Sequence, residues 1–272
     1  MRRSDQHTLL LALFVCAVST PARAQSLSFL ACPVAQDLGP QRDICFFAVR
    51  DGVRYGVSGP ADWGNPQLGH QVLIEAEVAD RPQECGGVPI DGRVSVMPEL
   101  SPECDEIVPA TPELLSDELP ARLRLSEADR SMIEADPATS LRIVRLPALP
   151  VPEVALGRTE TIYFPFESDR ASGPDAMKML ELARLAEATP DAQVAVRAYQ
   201  GATLLDIGQV LAERTDMARK RGEKIAGILA GLGVPEEAIA VEIIEAVPAP
   251  DGEGDWKLRR VELLVSGTRS RQ

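Results

Sequence analysis

The sequence predicts an α+β protein in two parts: a small disulfide-bonded all-β domain of barrel-like form, then a C-terminal β-α-β-α-β-β domain on a mixed sheet. Three observations carry that expectation. Short runs of alternating apolar and polar residues, broken by Gly and Pro, fill the early part of the chain. Four of the five cysteines lie within that stretch. After a proline-rich segment, strand-like and helix-like apolar spacing alternate. With 272 residues, 45% of them hydrophobic and 25% charged, the chain can bury a sizeable core and fill two ordinary domains. A net charge of −13 argues against nucleic acid and anionic lipid as partners.

Residues 1–24 read as a secretory signal. "MRR" supplies positive charge, "LLLALFVCAV" an apolar core and "ARAQ" a cleavage site after Ala24, so the mature chain would begin at Gln25. The apolar run falls short of the roughly 20 residues that span a bilayer, which weighs against an uncleaved anchor. A lipoprotein signal ending at Cys16 has Leu13 in a suitable place, but Val15 stands where a small residue is expected. The expected location is the periplasm or cell envelope, with attachment at the outer membrane left open. Losing Arg2, Arg3 and Arg23 against Asp5 makes the remainder more acidic still.

The β domain is expected over 25–110. "DICFFAVRDGVRYGVSG" holds two alternating runs joined by Asp51-Gly52, a hairpin signal, and "HQVLIEAEVAD" and "GRVSVMPE" are further strands. Several short strands of this kind suit a compact barrel or sandwich. Cys32, Cys45, Cys85 and Cys104 form an even set, read in an exported chain as two disulfides with three pairings open. Cys32–Cys45 with Cys85–Cys104 is preferred, because local loops close at least entropic cost. Intervening spacings of 12, 39 and 18 residues contain no C-x-x-C knuckle, so a zinc site is the weaker alternative and no metal or cofactor is expected.

Residues 111–157 read as a linker. A short helix can follow "TPELL", another can start at the Ser126-x-x-Asp129 cap, and Pro147, Pro150 and Pro152 make the end extended and stiff. The second domain, over 158–268, begins with the strand "ETIYFPFESDRAS" and the amphipathic helix "GPDAMKMLELARLAEAT", with Pro174 near its first turn. "AQVAVRAY" is a strand. From Ile207 the pattern reads as one long helix that starts polar and ends at Gly233, and "AIAVEIIEA" and "LRRVELLVSG" are the closing strands.

This order, with these words in it, resembles the OmpA-like peptidoglycan-binding domain over Arg158 to Ser266. "IYFPFESD" is similar to that family's "F-x-F-x-S", "GLGVP" to the end of its second helix, and "LRRVELLV" to its closing "N-R-R-V-E-I", with Leu258 replacing Asn. The resemblance does not extend to the N-terminal half. It implies a ligand, the diaminopimelate side chain of the peptidoglycan stem peptide. That zwitterion calls for an acid to accept from its ammonium and a guanidinium fork to meet its carboxylate. The family motif "T-D-x-x-G-x-x-x-x-N-x-x-L-S-x-x-R-A" survives only in part. Counting back from Gly233 places its Arg on Arg221, with Met217 for Leu, Ala218 for Ser, Gly222 for Ala and Arg214 at the Asn.

Two registers compete for the acid. Read forward from the strand, Gly201 falls where the Asp should be; read backward from Arg221, Asp206 does, at the cost of five extra residues in the corner. A helix N-cap is the plain alternative for Asp206. For Arg214 and Arg221, the plain alternative is a solvated basic face shared with Arg219, Lys220 and Lys224. Of these candidate ligand residues, Arg221 is expected to matter most and Asp206 less.

No enzyme is expected. His7 falls in the signal, His70 stands alone, Glu236-Glu237 fits a helix start, and no G-x-S-x-G, H-E-x-x-H or phosphate loop is present. The reading is therefore an exported envelope protein that holds peptidoglycan non-covalently and offers its β domain to an envelope protein partner. The alternative is a degenerate OmpA-like module that has lost the ligand and serves protein contacts.

Overall fold

The computed structural model describes residues 26–38, 44–57, 66–83, 85–109 and 155–267. The expected signal, and nearly all of the expected linker including Pro147, Pro150 and Pro152, lie outside the described residues.

Seven strands form the N-terminal sheet: β1 (Ser26–Ala31), β2 (Pro33–Gln36), β3 (Cys45–Arg50), β4 (Val53–Gly56), β5 (His70–Val78), β6 (Val88–Leu100) and β7 (Ile107–Val108), in the spatial order β1-β5-β6-β4-β3-β2-β7. The Asp51-Gly52 turn forms as expected, with both residues at positive φ (50° and 77°), the geometry that joins a tight antiparallel pair. Alternate residues of the strands build one core from Leu27, Phe29, Ala48, Tyr55, Val72, Ile74, Val94 and their neighbours. The opposite side chains of β1 and β5, including Ser28, Leu30, Leu73 and Glu75, point to the second domain, as their contacts below show. Strand alternation thus gives this small sheet two buried faces.

The disulfides are Cys32–Cys104 and Cys45–Cys85, not the local pairs that loop entropy favours. Sheet pairing decides this. Cys32 leads into β2, Cys104 lies just before β7, and these two strands run side by side in parallel (Ala35 opposite Ile107). Cys45 opens β3 and Cys85 leads into β6, which meets β4 beside β3. Peptide mapping without reductant should recover these two linked pairs. Cys104→Ala, which opens a cross-link spanning 72 residues, should cost about 4 kcal/mol in urea unfolding if the loop-entropy account holds.

The C-terminal domain is β8 (Thr159–Tyr163), α1 (Gly173–Glu187), β9 (Gln193–Tyr199), the hairpin β10 (Ala202–Leu204) and β11 (Val210–Ala212), α2 (Met217–Gly231), β12 (Ile239–Ile244) and β13 (Arg260–Ser266). Its four-stranded sheet has the order β12-β9-β13-β8, with β12 parallel to β9 and β13 antiparallel to both of its neighbours, which makes it mixed. Helix α1 starts where Ser172 accepts from the Asp175 N–H at 3.2 Å and Pro174 fills the first turn. Helix α2 stops at Gly233, whose φ of 101° lets Val234 N–H reach back to Leu229 at 3.1 Å before Pro235. Both helices cover one sheet face: Met179, Leu182, Ile225 and Leu229 pack on Ile162, Val194, Val196, Val261 and Leu263. Each such side chain contributes roughly 1.5–3 kcal/mol by leaving water. On the other face lie Arg197 with Glu242 and Tyr199 with Glu262.

The long helix expected from Ile207 is a correction. Residues 202–212 form the hairpin β10–β11, turned at Gly208 (φ 78°), and α2 begins ten residues later than expected, at Met217. Apolar Leu204-Leu205 and Val210-Leu211, separated by Asp206 and Gly208, carry a hairpin signal that the helical reading overrode.

Candidate functional site

The corner between β9 and α2 holds the residues that the resemblance singled out, and the structure gives them separate partners. Arg221 lies in the first turns of α2, pointing inward, with its guanidinium 5.0 Å from the Phe164 ring. Its Nε donates to the Ser168 carbonyl (2.9 Å). Its Nη1 donates to the Tyr199 carbonyl (3.2 Å) and to Glu213 Oε2 (2.8 Å). Its Nη2 donates to the Pro165 carbonyl (3.2 Å) and to Glu213 Oε1. A guanidinium has five N–H donors, and this one uses them all inside the chain.

Glu213 completes the arrangement. Its Oε1 also accepts from the Glu167 N–H (2.9 Å) and its Oε2 from the Gly201 N–H (2.8 Å), so each oxygen holds one guanidinium and one backbone donor. Both side chains of the Arg221–Glu213 pair are fully buried (0% exposed). The carboxylate therefore stands where an outside carboxylate would have to lie to meet the Arg221 fork. Buried, bidentate and fully paired, it is the arrangement in which an internal charge pair persists.

Asp206 is neither beside Arg221 nor at a helix start. Its N–H donates to the Ser28 carbonyl (2.8 Å), its Oδ1 accepts from the Ser28 N–H (3.1 Å), and its Oδ2 pairs with Arg50. The N-cap of α2 is Asp216, whose carboxyl is held below its ordinary range, chiefly by the hydrogen bond from Lys220. Asp206→Ala, with its side chain 27% exposed, should lower stability by about 1 kcal/mol in urea unfolding.

Arg214 lies before α2, so it shares no helix face with Arg221. It pairs through its backbone N–H and Nε with Glu167, whose hydrogen bond raises the guanidinium pKa further. The basic-face alternative fits the neighbours instead: Lys220 meets Asp216 at 2.6 Å and Lys224 meets Asp169 at 3.0 Å, both lysines about half exposed.

Gly201 stands at the Asp position of the forward register for a steric reason. A Cβ there would come within 2.6 Å of Arg259 Cγ. Arg259 is a second buried arginine, 5.5 Å from the Phe166 ring, and it reaches across to the β domain. Its Nη1 donates to Glu75 Oε1 (3.1 Å) and Thr203 Oγ1 (2.9 Å), its Nη2 to Glu75 Oε2, and the Thr203 hydroxyl donates to Glu75 Oε1 (2.8 Å). Leu73 of the β domain packs with Phe166 and Leu205 of the C-terminal domain, and the Phe166 N–H donates to Ser95 Oγ at 3.0 Å. The "FPF" word thus serves both arginines, Phe164 under Arg221 and Phe166 beside Arg259.

Sequence reasoning missed Glu213, Glu75 and Arg259 as partners. Glu213 stands eight residues before Arg221 in "LAERTD", inside the stretch expected to be helical, where the sequence suggested no role for it. His70, the lone histidine of the expected mature chain, has Nδ1 2.8 Å from the Met97 carbonyl, a backbone contact at a strand end. Among the described residues there is no cluster of His, Cys, Asp or Glu able to hold a metal, and no helix long and apolar enough to cross a membrane.

No family model matches the chain, and no curated protein matches it. Solved structures do. The C-terminal domain of MotB from Helicobacter pylori matches at 19% identity, over 40% of this chain and 86% of that one, with a TM-score of 0.34. The peptidoglycan-associated lipoprotein from Burkholderia pseudomallei matches at 18% over 39% of this chain and 88% of its own, with a TM-score of 0.31. The OmpA-like domain of FopA1 from Francisella tularensis matches at 16%, over 42% and 75%, with a TM-score of 0.30. Each of these three matches covers about two-fifths of this chain.

Proposed function

We propose that this is an exported envelope protein whose OmpA-like domain, as folded here, is closed to the peptidoglycan stem peptide and works with the docked β domain as a body for protein contacts. One observation carries the reading: the Glu213 carboxylate takes both terminal nitrogens of Arg221 and two backbone N–H groups, with no exposed area left on either side chain. A stem-peptide carboxylate entering this fork would have to displace a buried, fully bonded carboxylate already in place. Asp206, the candidate acid for the ligand ammonium, is engaged with Ser28 and Arg50. Two disulfides fit an oxidising compartment. The protein partner is assigned to the hairpin tip, where Ile207 and Val210 are 68% and 58% exposed. No enzymatic role and no cofactor enter the reading.

Co-sedimentation of the purified mature protein with isolated peptidoglycan sacculi tests it. The protein is expected to stay in the supernatant at physiological salt. Saturable enrichment in the pellet, competed by free diaminopimelate, would mean that the fork is open in solution and the reading fails.

A further inference from the structure

We propose that the hairpin β10–β11 is a strap that couples docking of the β domain to the Arg221 fork: while the β domain is docked, Glu213 plugs the fork, and when it leaves, the fork opens to an outside carboxylate. This rests on the reading of Arg221 as a self-occupied fork and adds what controls it.

The two ends of the strap do different jobs. At one end, Thr203 donates to Glu75, Leu205 packs on Leu73, and Asp206 meets Ser28 and Arg50, so this end is held by side chains and backbone of the β domain. At the other end Glu213 follows β11 directly. The antiparallel register sets Ala212 opposite Ala202, and the Glu213 N–H donates to the Gly201 carbonyl at 3.1 Å. A shift of β10 therefore moves the residue that carries the plug.

A second path runs through Arg259. It is neutralised by Glu75 of the β domain and packs against Gly201, whose N–H is one of the four donors on Glu213. When the β domain departs, Arg259 and Thr203 lose Glu75 together and the corner loses its fixed position. The plug is replaceable by chemistry of its own kind. A ligand carboxylate would accept from the same four donors, the two Arg221 nitrogens and the Gly201 and Glu167 N–H groups, so the exchange is one carboxylate for another. Undocking supplies the differential that such a switch requires, because the closed fork gains from docking and the open one does not.

The test uses the full mature protein with two β-domain substitutions, Glu75→Ala and Arg50→Glu, neither of which touches Glu213 or Arg221. Arg50→Glu sits near the surface and serves if Glu75→Ala folds poorly. Hydrogen exchange is read at the Gly201 and Glu167 amides, and sacculus co-sedimentation is read beside it, with Glu213→Gln as the variant that weakens the plug directly. The expected result is exchange at least tenfold faster at those two amides, with β13 amides unchanged, and a several-fold rise in the pelleted fraction that free diaminopimelate competes away. If Glu213→Gln gains binding while both β-domain variants leave exchange and binding as they were, the strap is overturned and the self-occupied fork stands. If exchange accelerates and no variant pellets, Glu213→Gln included, the latent carboxylate site is overturned. Wild-type protein that pellets by itself would defeat the closed-fork reading instead.

Discussion

Arg221→Ala is expected to destabilise the C-terminal domain by about 3–5 kcal/mol, the range for breaking a buried ion pair from one side. The loss comes chiefly from Glu213, which would remain in a dry site with its two backbone donors and no counter-charge. The carbonyls of Pro165, Ser168 and Tyr199 would lose a donor as well. Urea unfolding of the single variants and of the double variant Arg221→Met with Glu213→Leu checks the cause. Replacing both partners by apolar groups of similar size removes the orphaned charge, so the double variant should be more stable than Arg221→Ala. If Arg221→Ala leaves the urea midpoint unmoved, the pair is not the buried lock described here. The same variant changes a function reading too: a binding defect in Arg221→Ala is interpretable only beside its melting curve.

Glu75→Ala should act on the junction between the domains with comparable size. Arg259 and Thr203 both depend on that carboxylate, and the Arg259 side chain is fully buried, so its removal leaves a desolvated guanidinium facing a β domain with no acid opposite it. The expected result in calorimetry is that one cooperative transition splits into two, the C-terminal domain melting apart from the disulfide-bonded sheet. Glu75→Gln, which keeps an acceptor for Thr203 and Arg259 but loses the charge, should fall between. An unsplit transition in Glu75→Ala would place the cohesion of the domains in the remaining contacts, Leu73 with Phe166 and Leu205, Ser95 with Phe166, and Ser28 and Arg50 with Asp206.

Much of the C-terminal fold was legible because its signals are local. The start of α1 with Pro174 in its first turn, the alternation in "AQVAVRAY" and the stop of α2 at Gly233 each involve residues within a few positions of one another, and each forms where the sequence places it. The Asp51-Gly52 hairpin is of the same kind. The site was legible only in outline. Counting singled out Arg221 as an arginine at the head of α2, but the same count carried Asp206 along with it, across a corner that contains a hairpin. Nothing in "LLDIGQ" says that its acid will meet a strand from the other domain.

The sequence by itself determined the four sheet strands and two helices of the C-terminal part, the Asp51-Gly52 hairpin, the stop of α2 at Gly233, and the presence of Arg221 in α2. Tertiary structure alone decided the disulfide pairing, the destination of Asp206, and the occupation of the Arg221 fork by Glu213. Periodicity and capping are properties of a few neighbouring residues, so a chain displays them before it folds. The decisive contacts join residues 156 apart in Arg50–Asp206 and 184 apart in Glu75–Arg259, and which carboxylate meets which guanidinium is set only when two packed surfaces come into register.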